Sequence, residues 1–313
     1  MRVDVHQHLW TRGFVAALRE RDRPPRLDGW TLLLDGEPDF AVDPRDHDVP
    51  HRLELNRADR LGLALVSLSA PLGIELLPGD QGAALLDAYH VGVLALPEGF
   101  GAWAAASVAE PDAPRLAGWL DAGCVGLQLP ASALCDRAGY ERCEPLLRVL
   151  EARGKPLFVH AGPAAARGAP PWWAANVEYV QQMHAAYHAF AAFGRAAHPG
   201  LRVCFAMLCG LAPLHRERAA ARGGPDLAGD RAVWFETSSY GPAAVAAVGA
   251  ALDAARGGSA PSSPDEGGHA SGRDGEAAGP RIVLGSDRPY AAPGALADEA
   301  AAERAVRDLL ALG

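Results

Sequence analysis

The chain has 313 residues, of which 38 are acidic and 29 basic, giving a formal net charge of −9, with 49% hydrophobic and 21% charged residues. That length suits one large α/β barrel or two modest domains, and the apolar share is enough for a sizeable core. The negative balance argues against nucleic acid or an anionic membrane as a main partner, because both call for a dense basic footprint. No apolar run is long enough to span a bilayer, and the N-terminus lacks the pattern of a secretory signal. The five cysteines (Cys124, Cys135, Cys143, Cys204, Cys209) form no C-x-x-C pair. A cytoplasmic protein without a disulfide framework is therefore expected, with a small-molecule substrate as partner; assembly into a homo-oligomer is left open. Lysine occurs once, at Lys155. Any mechanism that needs a lysine has to use that one.

In chain order, β-leaning apolar runs recur at 3–8, 63–69, 102–108, 124–129, 156–160, 202–207, 232–237 and 281–286. Segments with helical spacing lie between most of them. One is 139–153, stopped by Gly154; another is 173–196; a third has Pro213 in its first turn and Gly223 after its end. Strands alternating with helices predict a parallel sheet with βαβ crossovers. Eight such units favour a single-domain (β/α)₈ TIM barrel over 1–313, with a doubly wound open sheet as the alternative. Two insertions account for the extra length. Residues 30–34 and 38–42 flank Asp35, Gly36 and Glu37, which predicts a small β-hairpin after the first strand. Residues 256–280 contain no Val, Ile, Leu or Phe and are dense in Gly, Ser, Pro and Asp, the composition of a disordered spacer. It leads into the eighth strand from the bottom of the barrel, away from the chemistry.

The strand ends carry the chemistry. His6 and His8 alternate with Gln7, so on a strand they share one face and can bite one metal ion. The fifth strand ends at His160 and the eighth at Asp287. In a barrel all these ends converge on the same face, so three imidazoles and a carboxylate would surround one point. That donor set suits Zn²⁺, with Fe²⁺, Mn²⁺ or Co²⁺ as alternatives. One divalent ion per chain is expected, Zn²⁺ first.

Asp4-Val-His-Gln-His-Leu-Trp10, Phe158-Val-His-Ala-Gly162 and Leu284-Gly-Ser-Asp-Arg-Pro289 resemble the signature segments of the amidohydrolase-related family. That family spans aminocarboxymuconate-semialdehyde decarboxylase-like enzymes, aryl-carboxylate decarboxylases, and lactone and amide hydrolases. The resemblance implies a metal-dependent barrel with ligands at His6, His8, His160 and Asp287, and Asp287 as general base toward a metal-activated water. It also implies a histidine at the end of strand six, where this chain has Met207, whose thioether cannot shuttle a proton. Dinuclear relatives bridge two metals with a carboxylated lysine near the end of strand four. Residues 124–130 hold no lysine, which leaves a mononuclear site.

Trp10, Trp172, Trp173 and His184 are the candidate substrate contacts. The paired tryptophans suit an apolar wall or the packing of a helix start. His184 and His188 lie four apart on one helix side, and His184 reads more simply as a hydrogen-bonded residue edging the apolar stripe. His215 is placed just inside the following helix. Glu236 to Tyr240 close strand seven and add polar groups on the same face. The expected activity is metal-dependent hydrolysis of a small lactone, ester or amide. The alternatives are non-oxidative decarboxylation of an aromatic or enoic acid, and a non-catalytic binding barrel.

Overall fold

All eight expected strand runs form strands, and they lie side by side in parallel. The computed structural model describes residues 1–257, 281–294 and 296–312. Strand β1 (Val3–Gln7) pairs with β5 (Leu63–Val66), and β5 with β6 (Phe100–Ala102). On the other side β7 (Ala104–Ala105), β8 (Leu127–Pro130), β9 (Leu157–His160), β10 (Val203–Phe205), β11 (Val233–Glu236) and β12 (Ile282–Val283) follow in order. β6 and β7 are two halves of one strand, interrupted at Trp103. Its N–H still donates to Val66 O at 2.9 Å, and the Val125 N–H to Ala102 O at 2.9 Å, so the ladder continues across the break.

The ring closes between its first and last strands. Val5 N–H donates to Leu284 O and Asp287 N–H to His6 O, each at 2.9 Å, and Gln7 bridges Arg288 in parallel. The (β/α)₈ barrel read from the sequence is the architecture observed. Buried large side chains fill its axis below the strand ends. The Trp103 and Phe158 rings stack at 5.2 Å, Phe158 meets His6 at 5.1 Å, and the Trp103 indole N–H donates to Val5 O at 2.9 Å. No helix among the described residues is long and apolar enough to cross a membrane.

The hairpin insertion forms, with one strand more than expected. β2 (Arg26–Asp28), β3 (Thr31–Leu33) and β4 (Phe40–Ala41) make an antiparallel sheet. The segment 256–280 falls outside the described residues from position 258 onward; the helix Pro242–Gly257 takes up its first two positions. One helix boundary differs from expectation. Pro213 lies inside a 3-10 segment, Met207–His215, and the α-helix begins only at Arg216 and ends at Ala220. The cause is a run of left-handed backbone: φ is +55° at Met207, +44° at Leu208, +54° at Cys209, +59° at Gly210 and +64° at Leu211. No α-helix can start through such a run, so His215 sits before the helix and not inside it.

A buried histidine outside the strand ends makes the fold sensitive to acid. His90, on the helix Gly79–Leu94, donates from Nδ1 to Leu86 O at 2.6 Å and accepts from Ala105 N–H at Nε2. Its ring stacks on Trp119 at 4.3 Å. Burial lowers its pKa from 6.5 to about 4. The unfolded chain therefore binds this proton at about pH 6.5, whereas the folded chain resists it until about pH 4. Stability from this group is fully present above pH 6.5 and is lost on acidification toward pH 4, on the order of 3 kcal/mol by linkage. Urea midpoints compared at pH 7.5 and pH 4.5 should show that loss, and His90→Gln should shrink it.

Candidate metal centre

The carboxyl ends of β1, β9 and β12 place His6, His8, His160 and Asp287 together at the top of the barrel axis. One donor atom from each lies within 4.8 Å of all the others. The three rings meet edge to face with centroids 4.7–5.2 Å apart. His6 Nε2 is 3.1 Å from His8 Nε2, and Asp287 Oδ1 is 3.3 Å from the first and 3.0 Å from the second.

Each imidazole has its outer nitrogen bound to an acceptor. His8 Nδ1 faces Ser67 O at 3.0 Å, and His160 Nδ1 faces Ala161 O at 2.7 Å. His6 Nδ1 faces Glu236 Oε2 at 3.1 Å. The carbonyl acceptors require Nδ1–H on His8 and His160, and Glu236 in its ionised form requires it on His6, which turns each Nε2 toward the shared point. Burial lowers the pKa of His6 to about 4 and of His160 to about 3, so both rings are neutral at neutral pH. His6 Nε2, His8 Nε2 and Asp287 Oδ1 crowd to about 3 Å, a spacing that a proton on His8 or a shared cation holds together. A divalent ion with bonds of about 2.1 Å sets its ligand atoms roughly 3.0–3.4 Å apart, which matches. The residues present fit a divalent metal ion.

Asp287 adopts φ +60°, a left-handed conformation that non-glycine residues reach mostly where tertiary structure imposes it. Burial pushes its carboxyl up, but the His8 hydrogen bond and the His6, His8 and His160 rings outweigh this. The pKa ends below the ordinary carboxylate value. Asp287 is thus ionised.

Glu236 is the group whose part the sequence reading missed; it was placed only among the polar residues closing strand seven. The side chain is fully buried and accepts from His6 Nδ1, from Ser238 N–H, from Ser238 Oγ at 2.7 Å and from Met207 N–H at 3.2 Å. Desolvation raises its pKa to about 8 against these bonds, and a cation at His6 would favour the ionised form. Gly285 makes room for it, since a Cβ there would stand 1.9 Å from Glu236 Oε1. The end of strand six reaches Glu236 through the Met207 backbone N–H. An acid at the end of a wholly buried strand was the available signal.

The substrate-contact candidates separate into three places. Trp10 is buried, stacked on His47 at 4.6 Å, and its indole donates to Ser69 Oγ at 3.2 Å. Trp172 and Trp173 are exposed at 55% and 37%, beside each other on the loop after β9. His184 stands apart from the centre, in a group with His188 and His215. Residues not singled out line the approach instead. The Tyr290 ring lies 5.8 Å from His8 and 6.1 Å from Phe40 of the hairpin. Tyr179 donates to the hairpin's Glu37 at 2.8 Å, and Glu37 also accepts from Ala164 N–H.

Known structures share this architecture. The IDCase of Metarhizium anisopliae superposes with a TM-score of 0.68 at 13% identity, covering 99% of this chain and 91% of that one. The 5-carboxyvanillate decarboxylase of Sphingomonas paucimobilis gives 0.64 at 17% identity, covering 100% and 96%. A dihydroxybenzoic acid decarboxylase of Polaromonas, solved with bound manganese and the inhibitor 2-nitroresorcinol, gives 0.60 at 16% identity, covering 99% and 97%. The chain shares the barrel fold of these structures. No protein-family model and no curated protein matches the sequence. The resemblance read from three short segments therefore agrees with the fold over the whole chain, at identities too low for the rest of the sequence to carry it.

Proposed function

We propose that the chain is a mononuclear, metal-dependent decarboxylase of a small aromatic or enoic carboxylic acid. The observation that carries this is the convergence of His6, His8, His160 and Asp287. Support for decarboxylation over hydrolysis comes from structures of the same fold, several of which are decarboxylases of aromatic acids. Three imidazoles favour Zn²⁺, while bound manganese in such structures makes Mn²⁺ the alternative. The ion, once bound, supplies a positive charge that anchors and polarises the acid.

The chain's own residues supply the rest. His6, His8 and His160 hold the ion through Nε2, each oriented by the acceptor at Nδ1. Asp287 takes the proton of a substrate hydroxyl and delivers it to the carbon that the carboxylate leaves. The C–C bonding pair stays on that carbon, CO₂ departs, and a solvent proton restores the hydroxyl. Tyr290 and Phe40 offer aromatic surface to the ring, and the thioether of Met207 is no obstacle, because one proton relay suffices.

Metal-loaded protein tested against hydroxybenzoates, enoic acids, lactones and esters decides the matter. Release of CO₂ from an acid is expected. Turnover of a lactone or ester without CO₂ would replace this reading with hydrolysis, and metal binding without any turnover would favour a binding barrel.

A further inference from the structure

A second histidine group lies outside the metal centre. His184 and His188 stand one turn apart on the helix Tyr179–Ala189, with ring centroids 4.8 Å apart. His215, at the end of the segment Met207–His215, brings its ring within 4.8 Å of His184 from another element. Those separations fall inside the 4.7–5.2 Å range of the rings at the first centre. His184 is thus the shared neighbour of two rings that do not themselves pair. Among the described residues only the first centre has all its donor atoms within 4.8 Å of one another, so closing this group takes a turn of the His215 ring.

One ring nitrogen of this group lacks a partner. His184 Nε2 is buried and makes no hydrogen bond. A buried imidazole nitrogen in that state calls for an explanation, and an ion is one of the few that fit. Among the described residues none of the three rings forms an ion pair with a carboxylate, and the charges acting on His184 are the other two histidines. Burial and that mutual repulsion lower the pKa values of His184 and His188, so lone pairs are available at neutral pH. The segment carrying His215 has the left-handed backbone from Met207 to Leu211 and is pressed on the same helix. A Cβ at Gly210 would lie 2.9 Å from Val180 O. Something that ties this turn to the helix would offset its strain.

We propose that His184, His188 and His215 form a second metal site, for a borderline transition-metal ion such as Zn²⁺, which clamps the turn after β10 to the helix after β9. The helix pair provides two ligands at i and i+4. His215 is exposed, so its ring can turn to complete the third, and the outer position is left to water or a small anion. Because Met207 opens the same turn and its N–H binds Glu236, occupancy stiffens the surroundings of the first centre without sharing a ligand with it. With only imidazoles, and partly in solvent, this site is weaker than the first.

The test starts from protein dialysed with its tightly bound ion in place and titrates Zn²⁺ by calorimetry. Wild type should take up a second ion. His184→Gln and His188→Ala should each weaken that event by more than the roughly 10–100-fold that loss of an outer-shell partner costs a metal site, with folding checked by circular dichroism. His215→Ala should weaken it as well, and His8→Ala, which damages the first centre, should leave it in place. Three results overturn the proposal: no second ion in the wild type; equal binding by wild type and His184→Gln, meaning an adventitious ion only; or unchanged affinity in His215→Ala.

Discussion

Asp287→Asn should lower turnover by about 10²–10⁴, the usual worth of a positioned acid or base, while the fold survives. The amide is nearly isosteric, and the Asp287 N–H bond to His6 O that helps close the barrel is a backbone bond unaffected by the change. Part of the loss can come through the ion, because Asp287 Oδ1 lies 3.0 Å from His8 Nε2 and 3.3 Å from His6 Nε2. Metal content measured on the same sample separates the two effects. A mild effect with metal retained would show that another group moves the proton. Met207→His is the informative partner. It places an imidazole at the end of β10 and should add a titration near neutral pH to the pH–rate profile. An unchanged profile would show that the thioether position does not face the reacting atoms.

Glu236→Gln should weaken metal binding by about 10–100-fold, the cost of losing an outer-shell partner of a ligating histidine. The carboxylate sets the tautomer of His6 and raises the basicity of its Nε2, and the neutral amide does the second less well. Gly285→Ala should reproduce the loss through shape alone, because the new methyl group would occupy the space of Glu236 Oε1. Metal dissociation constants measured by competition with a chelator check both. Wild-type affinity in either variant would mean that the His6–Glu236 contact has no bearing on the ion.

Much of this architecture was legible because the signals were local. The runs at 156–160 and 281–286 end in His160 and Asp287 or one residue short of it, and barrel geometry turns strand ends into neighbours. His6 and His8 could be placed together from alternation alone. What stayed hidden depends on residues meeting over long separations. Glu236 reaches His6 across 230 positions, and Tyr179 reaches Glu37 across 142. Neither pairing leaves a periodic trace. The break in the third strand at Trp103 is likewise tertiary, since that indole is drawn to Val5 O. The misplaced helix start at Pro213 has a different cause. Left-handed backbone at Leu208 and Cys209 contradicts their local preference, so packing against the neighbouring helix overrode the pattern. The short strand β2 escaped because three residues are too few to show alternation.

The most direct test of the account is elemental analysis of the purified, dialysed chain beside its His160→Ala variant. One tightly held divalent ion per chain is expected in the wild type, Zn²⁺ or Mn²⁺, and little or none in the variant. No ion after metal-supplemented expression, or an ion retained in full by His160→Ala, would contradict a metal centre built on His6, His8, His160 and Asp287.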